Sequence, residues 1–214
     1  CDTEPMKLVI FDCDGTLVDS ELLCNLALEH QLAELGIQYA AEELLSKYRG
    51  GKLASIVTSL EAEFSMTFPK SFESDYRLKV NHLFDTELVA NDGVKEVLES
   101  LSIPFCIASS APKSKIQRAL NVTGLTKFFG TNIFSSYEIG SWKPEPQLFL
   151  HAANAMSVEP KNCFVIEDSF LGLQAAHRAN MKSIYYAPGL EVAESSQLAN
   201  VQIEHMSELV KYIT

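Results

Sequence analysis

The chain has 214 residues, of which 47% are hydrophobic and 21% are charged, enough apolar material for one or two domains with a buried core. Seventeen basic and 28 acidic residues give a formal net charge of -11. A surface of that sign repels nucleic acid and anionic lipid, so we expect neither as a partner. Residues 1–7 lack a signal-peptide pattern, and no apolar run reaches the ~18 residues of a membrane span, so we expect a soluble, cytoplasmic chain.

The five cysteines, Cys1, Cys13, Cys24, Cys106 and Cys163, are widely spaced and form no CxxC motif. They also lack histidines at the spacing of a zinc site, so the sequence predicts no cysteine-based metal cluster. Three of them lie in apolar segments, as small core residues do. We therefore expect reduced thiols in a reducing compartment.

Five short apolar runs alternate with segments of helical pattern along the chain. Runs that are apolar on both faces are typical of strands in a parallel sheet covered by helices. The runs are Leu8 to Phe11, Phe105 to Ala108, Asn132 to Phe134, Cys163 to Ile166 and Ser183 to Tyr186. The sequence therefore predicts an α/β fold with a Rossmann-like parallel sheet and helices on both of its faces.

The segment after the first run breaks this alternation, because no strand-like run occurs between Val18 and Leu83. One apolar stripe in it repeats at helical spacing. Its members are Leu53, Ile56, Val57, Leu60 and Phe64. The sequence predicts a small all-helical domain over residues 18–85, inserted into an α/β core domain made of residues 1–17 and 86–214.

Asp12 and Asp14 follow the first predicted strand, where open α/β sheets bind their ligands. Neighbouring carboxylates repel each other, so they indicate a bound cation or a shared proton. A solvated turn is the alternative. A calcium-binding EF-hand loop is excluded, because Leu17 and Leu23 stand where that loop needs glycine and glutamate.

Polar residues also follow the second predicted strand and the third. Ser109 and Ser110 precede a helix start, where hydroxyl and N–H groups either bind an anion or cap the helix. Lys143 precedes Pro144, which favours an extended lysine with a helix beginning directly after it. A solvated surface lysine is the alternative.

Glu167 and Asp168 form a second acidic pair, at the end of the fourth predicted strand. Carboxylate oxygens are ligands for a hard divalent cation, and a lysine with a hydroxyl can neutralise and bind a phosphoryl group. The strand ends therefore indicate one site for phosphate chemistry.

The order Asp12-x-Asp14-Gly15-Thr16, Ser109, Lys143-Pro144, Glu167-Asp168 resembles the haloacid dehalogenase (HAD) superfamily. The helical insertion resembles the small cap of the subgroup with β-phosphoglucomutase and sugar-phosphate phosphatases. This resemblance implies a Mg²⁺-dependent phosphatase of phosphorylated sugars or sugar acids, with 6-phosphogluconate as the specific candidate. A phosphoglucomutase-type isomerase is an alternative with the same residues.

The resemblance also implies a role for each motif residue. Asp12 would be the nucleophile that forms an aspartyl phosphate, and Asp14 the general acid and base. Ser109 and Lys143 would bind the phosphate oxygens. The Mg²⁺ set that it implies is Asp12, Asp14 through its backbone carbonyl, and Asp168, with Glu167 as a ligand or its support.

The substrate is expected to contact Ser110 and the inserted domain. Arg49, Gly50 and Lys52 form a turn where resembling proteins place a specificity loop, and their cations suit an anionic part of the substrate. Glu21 could meet a sugar hydroxyl. Alternatively, Arg49 to Lys52 is a solvated turn and Glu21 supports a first helical turn.

Two other classes fit the motifs less well. Dehalogenases of this superfamily lack the acid that stands here as Asp14, which argues against carbon–halogen chemistry. A signalling receiver carries its phosphate acceptor on the third strand and has no helical insertion, so the motif order disfavours it. We expect a small-molecule phosphate ester as the partner and a monomer or weak homodimer.

Overall fold

The structure is a computed structural model that describes residues 4–189 and 192–213. Its strands are β1 (Leu8–Phe11), β2 (Phe105–Ser109), β3 (Ile133–Ser135), β4 (Cys163–Glu167), β5 (Lys182–Tyr186) and β6 (Val201–Ile203). They form a six-stranded sheet in the order β3-β2-β1-β4-β5-β6. Every pairing is parallel, which confirms the predicted sheet type.

Helices fill the chain between β1 and β2. They are α1 (Glu21–Ala33), α2 (Ala41–Tyr48), α3 (Leu53–Phe64), α4 (Phe72–Glu87) and α5 (Val94–Ser100). The predicted stripe on α3 is confirmed, because Leu60 is fully buried and its other members pack against the same apolar cluster. The assignment of residues 18–85 to a separate domain stays a prediction.

The remaining helices cover both faces of the sheet. They are α6 (Lys113–Thr123), α7 (Thr126–Phe129), α8 (Ser136–Ile139), α9 (Gln147–Ala155), α10 (Phe170–Arg178), α11 (Ala193–Leu198) and α12 (Val210–Ile213). Val9 and Phe11 belong to one apolar cluster, and Leu8 and Ile10 belong to the other. Since side chains alternate across a strand, β1 is buried on both sides, as its apolar run predicted.

Two local expectations are corrected by the structure. The helix after Lys143 begins only at Gln147, because Pro146 also disfavours helical backbone at the residue before it. A sixth strand, Val201–Ile203, was not predicted. It pairs with β5 at the edge of the sheet, and Gln202 between its two apolar residues interrupts the apolar run by which the other strands were recognised.

The thiols and the helix lengths bear on two further expectations. Cys13, Cys24, Cys106 and Cys163 are free, while Cys1 lies outside the described residues. In the ranges 4–189 and 192–213, none of the helices combines the length and the hydrophobicity that crossing a bilayer requires.

Candidate active site

The predicted motif residues meet at one edge of the sheet. β1 lies between β2 and β4, and Phe11 is in register with Ile107 on one side and Ile166 on the other. The residues that follow these strands therefore emerge side by side, at the carboxyl ends where open α/β sheets bind ligands. Asp12 and Asp168 are both nearly buried there.

Lys143 reaches this edge from the loop between α8 and α9. Its Nζ donates to Asp12 Oδ1 at 2.8 Å and to Ala108 O at 3.3 Å, and it also donates to Glu167 Oε1. Its side chain is 3% exposed. Burial opposes the charge of Lys143, but Asp12 and Glu167 outweigh burial and raise its pKa above the ordinary lysine value. The surface alternative for this lysine is wrong.

Glu167 is fully buried and both of its oxygens are hydrogen-bonded. Oε1 accepts from Lys143, while Oε2 accepts from the backbone N–H of Ser169 at 3.2 Å and from its hydroxyl at 3.0 Å. Gly172 permits this arrangement, because a Cβ at that position would lie 1.9 Å from Glu167 Cδ. The first turn of α10 thus fixes the carboxylate that supports Lys143.

Three buried carboxylates lie close enough to share a cation. Oxygens of Asp12, Glu167 and Asp168 all lie within 4.8 Å of one another. Burial and the charge of Glu167 outweigh Lys143 and raise the pKa of Asp12 to about 7. Burial, followed by the charges of Glu21 and Asp12, raises the pKa of Asp168 well above its ordinary value. The cluster is therefore short of positive charge.

The cluster fits a hard divalent cation. Its donors are all carboxylate oxygens, the ligands that Mg²⁺ prefers in proteins. Gly15 leaves the space beside it open, since a Cβ there would lie 2.3 Å from Asp168 Oδ2. Thr16 Oγ1 donates to Asp168 Oδ1 at 3.2 Å and helps to orient that carboxylate.

Asp14 lies beside the cluster, with each oxygen held by a different donor. Ser20 Oγ donates to Oδ1 at 2.7 Å, and Lys115 Nζ donates to Oδ2 at 3.2 Å. The backbone around it forms a tight turn, in which Gly15 N–H donates to Val18 O at 2.9 Å. Asp14 thus faces the same cleft as Asp12.

Ser109, the last residue of β2, and Ser110, which follows it, line the cleft. Ser109 is buried, and its Oγ accepts from the Ala111 backbone N–H at 3.1 Å. Ser110 Oγ is a buried atom without a hydrogen-bond partner among the described residues. No side chain caps α6, so the alternative that these serines cap that helix is wrong.

Residues between β1 and β2 cover the opposite side of the cleft. Arg49 Nη1 donates to Asp168 Oδ2 at 2.9 Å. Gly50 presses against Ser169, because a Cβ there would lie 2.7 Å from the Ser169 hydroxyl. Lys52 Nζ lies 3.7 Å from the centroid of the Trp142 ring. The turn is therefore in contact with the strand-end residues.

Glu21 lies at the start of α1 and lines the cleft. Burial, followed by the charges of Asp14 and Asp12, raises the pKa of Glu21 to about 8, and Arg49 partly offsets this increase. The side chain that could meet a sugar hydroxyl is therefore brought next to the acidic cluster.

The cleft between the two sides opens to solvent and contains about 890 Å³ of free space, its open mouth included. Of the predicted residues, Asp12, Asp14, Glu21, Gly50, Lys52, Ser109, Ser110, Lys143 and Asp168 line it. Residues that the sequence did not single out for the site also line it: Tyr48, Tyr76, Arg77, Lys115 and Tyr137. Of these five, only Lys115 had a signal in the sequence, because Lys113 and Lys115 follow Pro112 and make the predicted start of that helix basic.

The chain is similar to known proteins in both sequence and fold. A profile of the haloacid dehalogenase-like hydrolases matches residues 9–186. A 6-phosphogluconate phosphatase of Escherichia coli is 38% identical over 85% of this chain and 82% of its own. A phosphorylated carbohydrates phosphatase of Thermotoga maritima is 28% identical over 97% of this chain and 100% of its own.

A solved structure agrees with these matches. A conserved haloacid dehalogenase-like protein from Agrobacterium tumefaciens superposes with a TM-score of 0.84, at 29% identity, over 97% of each chain. The profile match spans most of this chain. The parallel sheet and the acids at its strand ends, which the sequence predicted, are both present in the structure. The chain therefore belongs to the haloacid dehalogenase-like hydrolase family, an enzyme family that includes its phosphatase relatives.

Proposed function

We propose that the chain is a Mg²⁺-dependent phosphatase that hydrolyses small phosphorylated sugars or sugar acids through an aspartyl phosphate on Asp12. The observation that carries this proposal is the buried contact of 2.8 Å between Lys143 Nζ and Asp12 Oδ1. It orients a carboxylate at the edge of the cleft and places a cation where phosphate oxygens would bind.

The proposed reaction has two displacements. An Asp12 oxygen attacks phosphorus, the ester O–P bond breaks, and Asp14 gives its proton to the leaving alcohol. Asp14 then takes a proton from water, whose oxygen attacks phosphorus and releases Asp12. The position of both aspartates on one cleft supports this division of roles.

Ser109, Ser110 and Lys143 are proposed to bind the phosphate oxygens. Ser110 Oγ is buried without a partner among the described residues, and such a hydroxyl is costly unless water or a ligand supplies its hydrogen bond. The lysine retains its charge in the buried site. Together they match a phosphate group in charge and in hydrogen bonding.

The proposed Mg²⁺ ligands are Asp12, Asp168 and the backbone carbonyl of Asp14. Glu167 is proposed as a support, since both of its oxygens already accept hydrogen bonds within the protein. When bound, Mg²⁺ would reduce the repulsion between an anionic phosphate and the Asp12 carboxylate. The shortage of positive charge in the cluster supports this assignment.

The helical segment 18–85 is proposed to act as a cap that selects the substrate and excludes water. Glu21, Arg49, Gly50 and Lys52 are its proposed contact residues. Within the described part of the chain, Lys52 forms no ion pair with a carboxylate. Its Nζ instead lies over the ring of Trp142. A sugar acid would supply such a carboxylate, and the name of the Escherichia coli relative points to the same class.

The first experiment tests the phosphatase activity itself. Purified protein should release phosphate from p-nitrophenyl phosphate in the presence of Mg²⁺. Asp12→Asn should abolish this release, and EDTA should abolish it until Mg²⁺ is restored. Phosphate release that persists through either treatment would contradict the proposal.

A substrate panel then tests the proposed class. Phosphorylated sugar acids, including 6-phosphogluconate, should give higher kcat/KM than phosphorylated sugars without a carboxylate. Incubation with β-glucose 1-phosphate separates hydrolysis from isomerisation. Free phosphate supports the phosphatase, whereas stoichiometric glucose 6-phosphate supports the mutase alternative.

A further inference from the structure

Lys115, on the first turns of α6, reaches a residue 101 positions away in the sequence. Its Nζ lies 3.2 Å from Asp14 Oδ2, and the two side chains are only 18% and 20% exposed. Lys113 on the same helix instead pairs with Glu138, where the side chains are 41% and 40% exposed. The two lysines are close in sequence, but only Lys115 enters the cleft.

The second oxygen of Asp14 has its own donor. Ser20 Oγ donates to Oδ1 at 2.7 Å, and Ser20 is fully buried. Each carboxylate oxygen has two lone-pair directions, so these contacts leave one direction on each oxygen for another partner. Two donors from different segments therefore fix the plane of the carboxylate and leave part of its hydrogen-bonding capacity free.

The environment keeps Lys115 in place as a cation. Burial disfavours its charge, and the carboxylate of Asp14, 3.2 Å from its Nζ, supplies the negative charge opposite it. The ring of Phe84 lies 5.6 Å from its Nζ. A ring of α4 thus lies beside a lysine that belongs to α6.

We propose that Lys115 is a positioning residue that holds Asp14 for proton transfer to the leaving group. This inference rests on the proposed function. When the ester O–P bond breaks and the O–P bond to Asp12 forms, the proton of Asp14 passes to the departing alcohol oxygen. Lys115 touches none of the reacting atoms, and its charge stabilises the carboxylate that remains on Asp14.

The test compares two leaving groups in Lys115→Met. p-Nitrophenolate departs without a proton, whereas the alkoxide of glycerol phosphate needs one. The parameter is kcat/KM, which reports transition-state stabilisation from the free enzyme. We expect Lys115→Met to lower kcat/KM for glycerol phosphate by at least ~10-fold, and for p-nitrophenyl phosphate by less than ~3-fold.

Two further variants complete the experiment. Ser20→Ala removes the other donor to Asp14 and should reproduce the same selective loss. If Lys115→Met does not fold, Lys115→Gln, which also removes the charge, takes its place with the same expected result. Lys113→Met removes a lysine from the same helix and should leave both values unchanged.

Equal losses on both esters would overturn the inference, because they indicate a structural role or a role in binding phosphate. No loss on either ester would overturn it as well. Wild-type protein that hydrolyses neither ester would refute the proposed function itself. If instead the wild type is active and Lys115→Met affects both esters equally, only the inference about Lys115 fails.

Discussion

Arg49 and Asp168, 119 positions apart in the sequence, are joined by a hydrogen bond of 2.9 Å from Nη1 to Oδ2. Arg49 lies at the end of α2, and Asp168 directly follows β4. The arginine thus contacts a carboxylate of the proposed metal site. Arg49 therefore competes with a divalent cation for the negative charge of Asp168 Oδ2.

We therefore predict that Arg49→Met tightens Mg²⁺ binding. Loss of a partly exposed ion pair of ~0.2–1 kcal/mol corresponds to ~1.5–5-fold in affinity. Thermal unfolding across a Mg²⁺ titration measures it, because a ligand of the folded state raises Tm. Asp168→Asn should abolish the Mg²⁺-dependent rise, and weaker binding by Arg49→Met would contradict competition.

Lys143→Met should lower both stability and activity. It leaves Asp12 and Glu167 without their shared cation in a buried site, and breaking a buried pair costs ~3–5 kcal/mol. Urea unfolding without Mg²⁺ measures the stability, and phosphate release measures the activity. Lys161→Met is the control, because its ion pair with Glu159 is 74% and 69% exposed. Equal stability of both variants would contradict the buried pairing.

Gly172→Ala should disturb Glu167. The new Cβ would lie 1.9 Å from Glu167 Cδ, and such overpacking costs ~1–3 kcal/mol. Displacement of Glu167 also frees Lys143, so activity should fall together with the free energy of unfolding. At Gly189 an added Cβ meets no atom of the described residues within 4 Å, and Gly189→Ala should match the wild type in both measurements.

Cys24 should be alkylated slowly at neutral pH. Burial, followed by the charges of Asp14 and Glu21, raises the pKa of its thiol from 9.0 to about 12, although Lys115 partly offsets this. At pH 8 only about one thiol in 10⁴ is then a thiolate. Iodoacetamide labelling, followed by peptide mass spectrometry, should therefore speed up ~10-fold per pH unit between pH 7 and 9.

The control for Cys24 is the same protein in urea, where its thiol should titrate near the ordinary cysteine value. A labelling rate of the folded protein that levels off by pH 9 would contradict the raised pKa. Peptide mapping is needed because the chain carries five cysteines.

The convergence of Asp12, Ser109 and Asp168 could be predicted from sequence. Each follows a short apolar run, and the parallel sheet brings the ends of such runs to one edge. Lys143 was also predicted, through the proline after it and its place in the motif order. The predictions for Asp12, Ser109 and Asp168 needed only local patterns and the rule for ligand position in α/β sheets, whereas the prediction for Lys143 also needed the resemblance to the haloacid dehalogenase superfamily.

The partners of Asp14 and Asp168 could not be predicted in this way. Lys115 and Arg49 are 101 and 119 positions from the carboxylates they contact. The Arg49 contact depends on how the helices between β1 and β2 rest on the sheet, and the Lys115 contact depends on how α6 lies beside the turn after β1. No local pattern encodes either placement. Arg49 was predicted to meet substrate, yet in the structure its guanidinium meets Asp168.

The central position of β1 has a consequence for biosynthesis. Both of its neighbours, β2 and β4, are translated later, and β4 begins only at Cys163. A nascent chain therefore cannot pair both edges of β1, the strand that precedes Asp12, until most of the chain has left the ribosome. The helices that follow β1 make nearer contacts along the sequence and can form first. If translation stops before Glu167, the nascent chain contains Asp12 but lacks Glu167 and Asp168, the other two acids of the cluster.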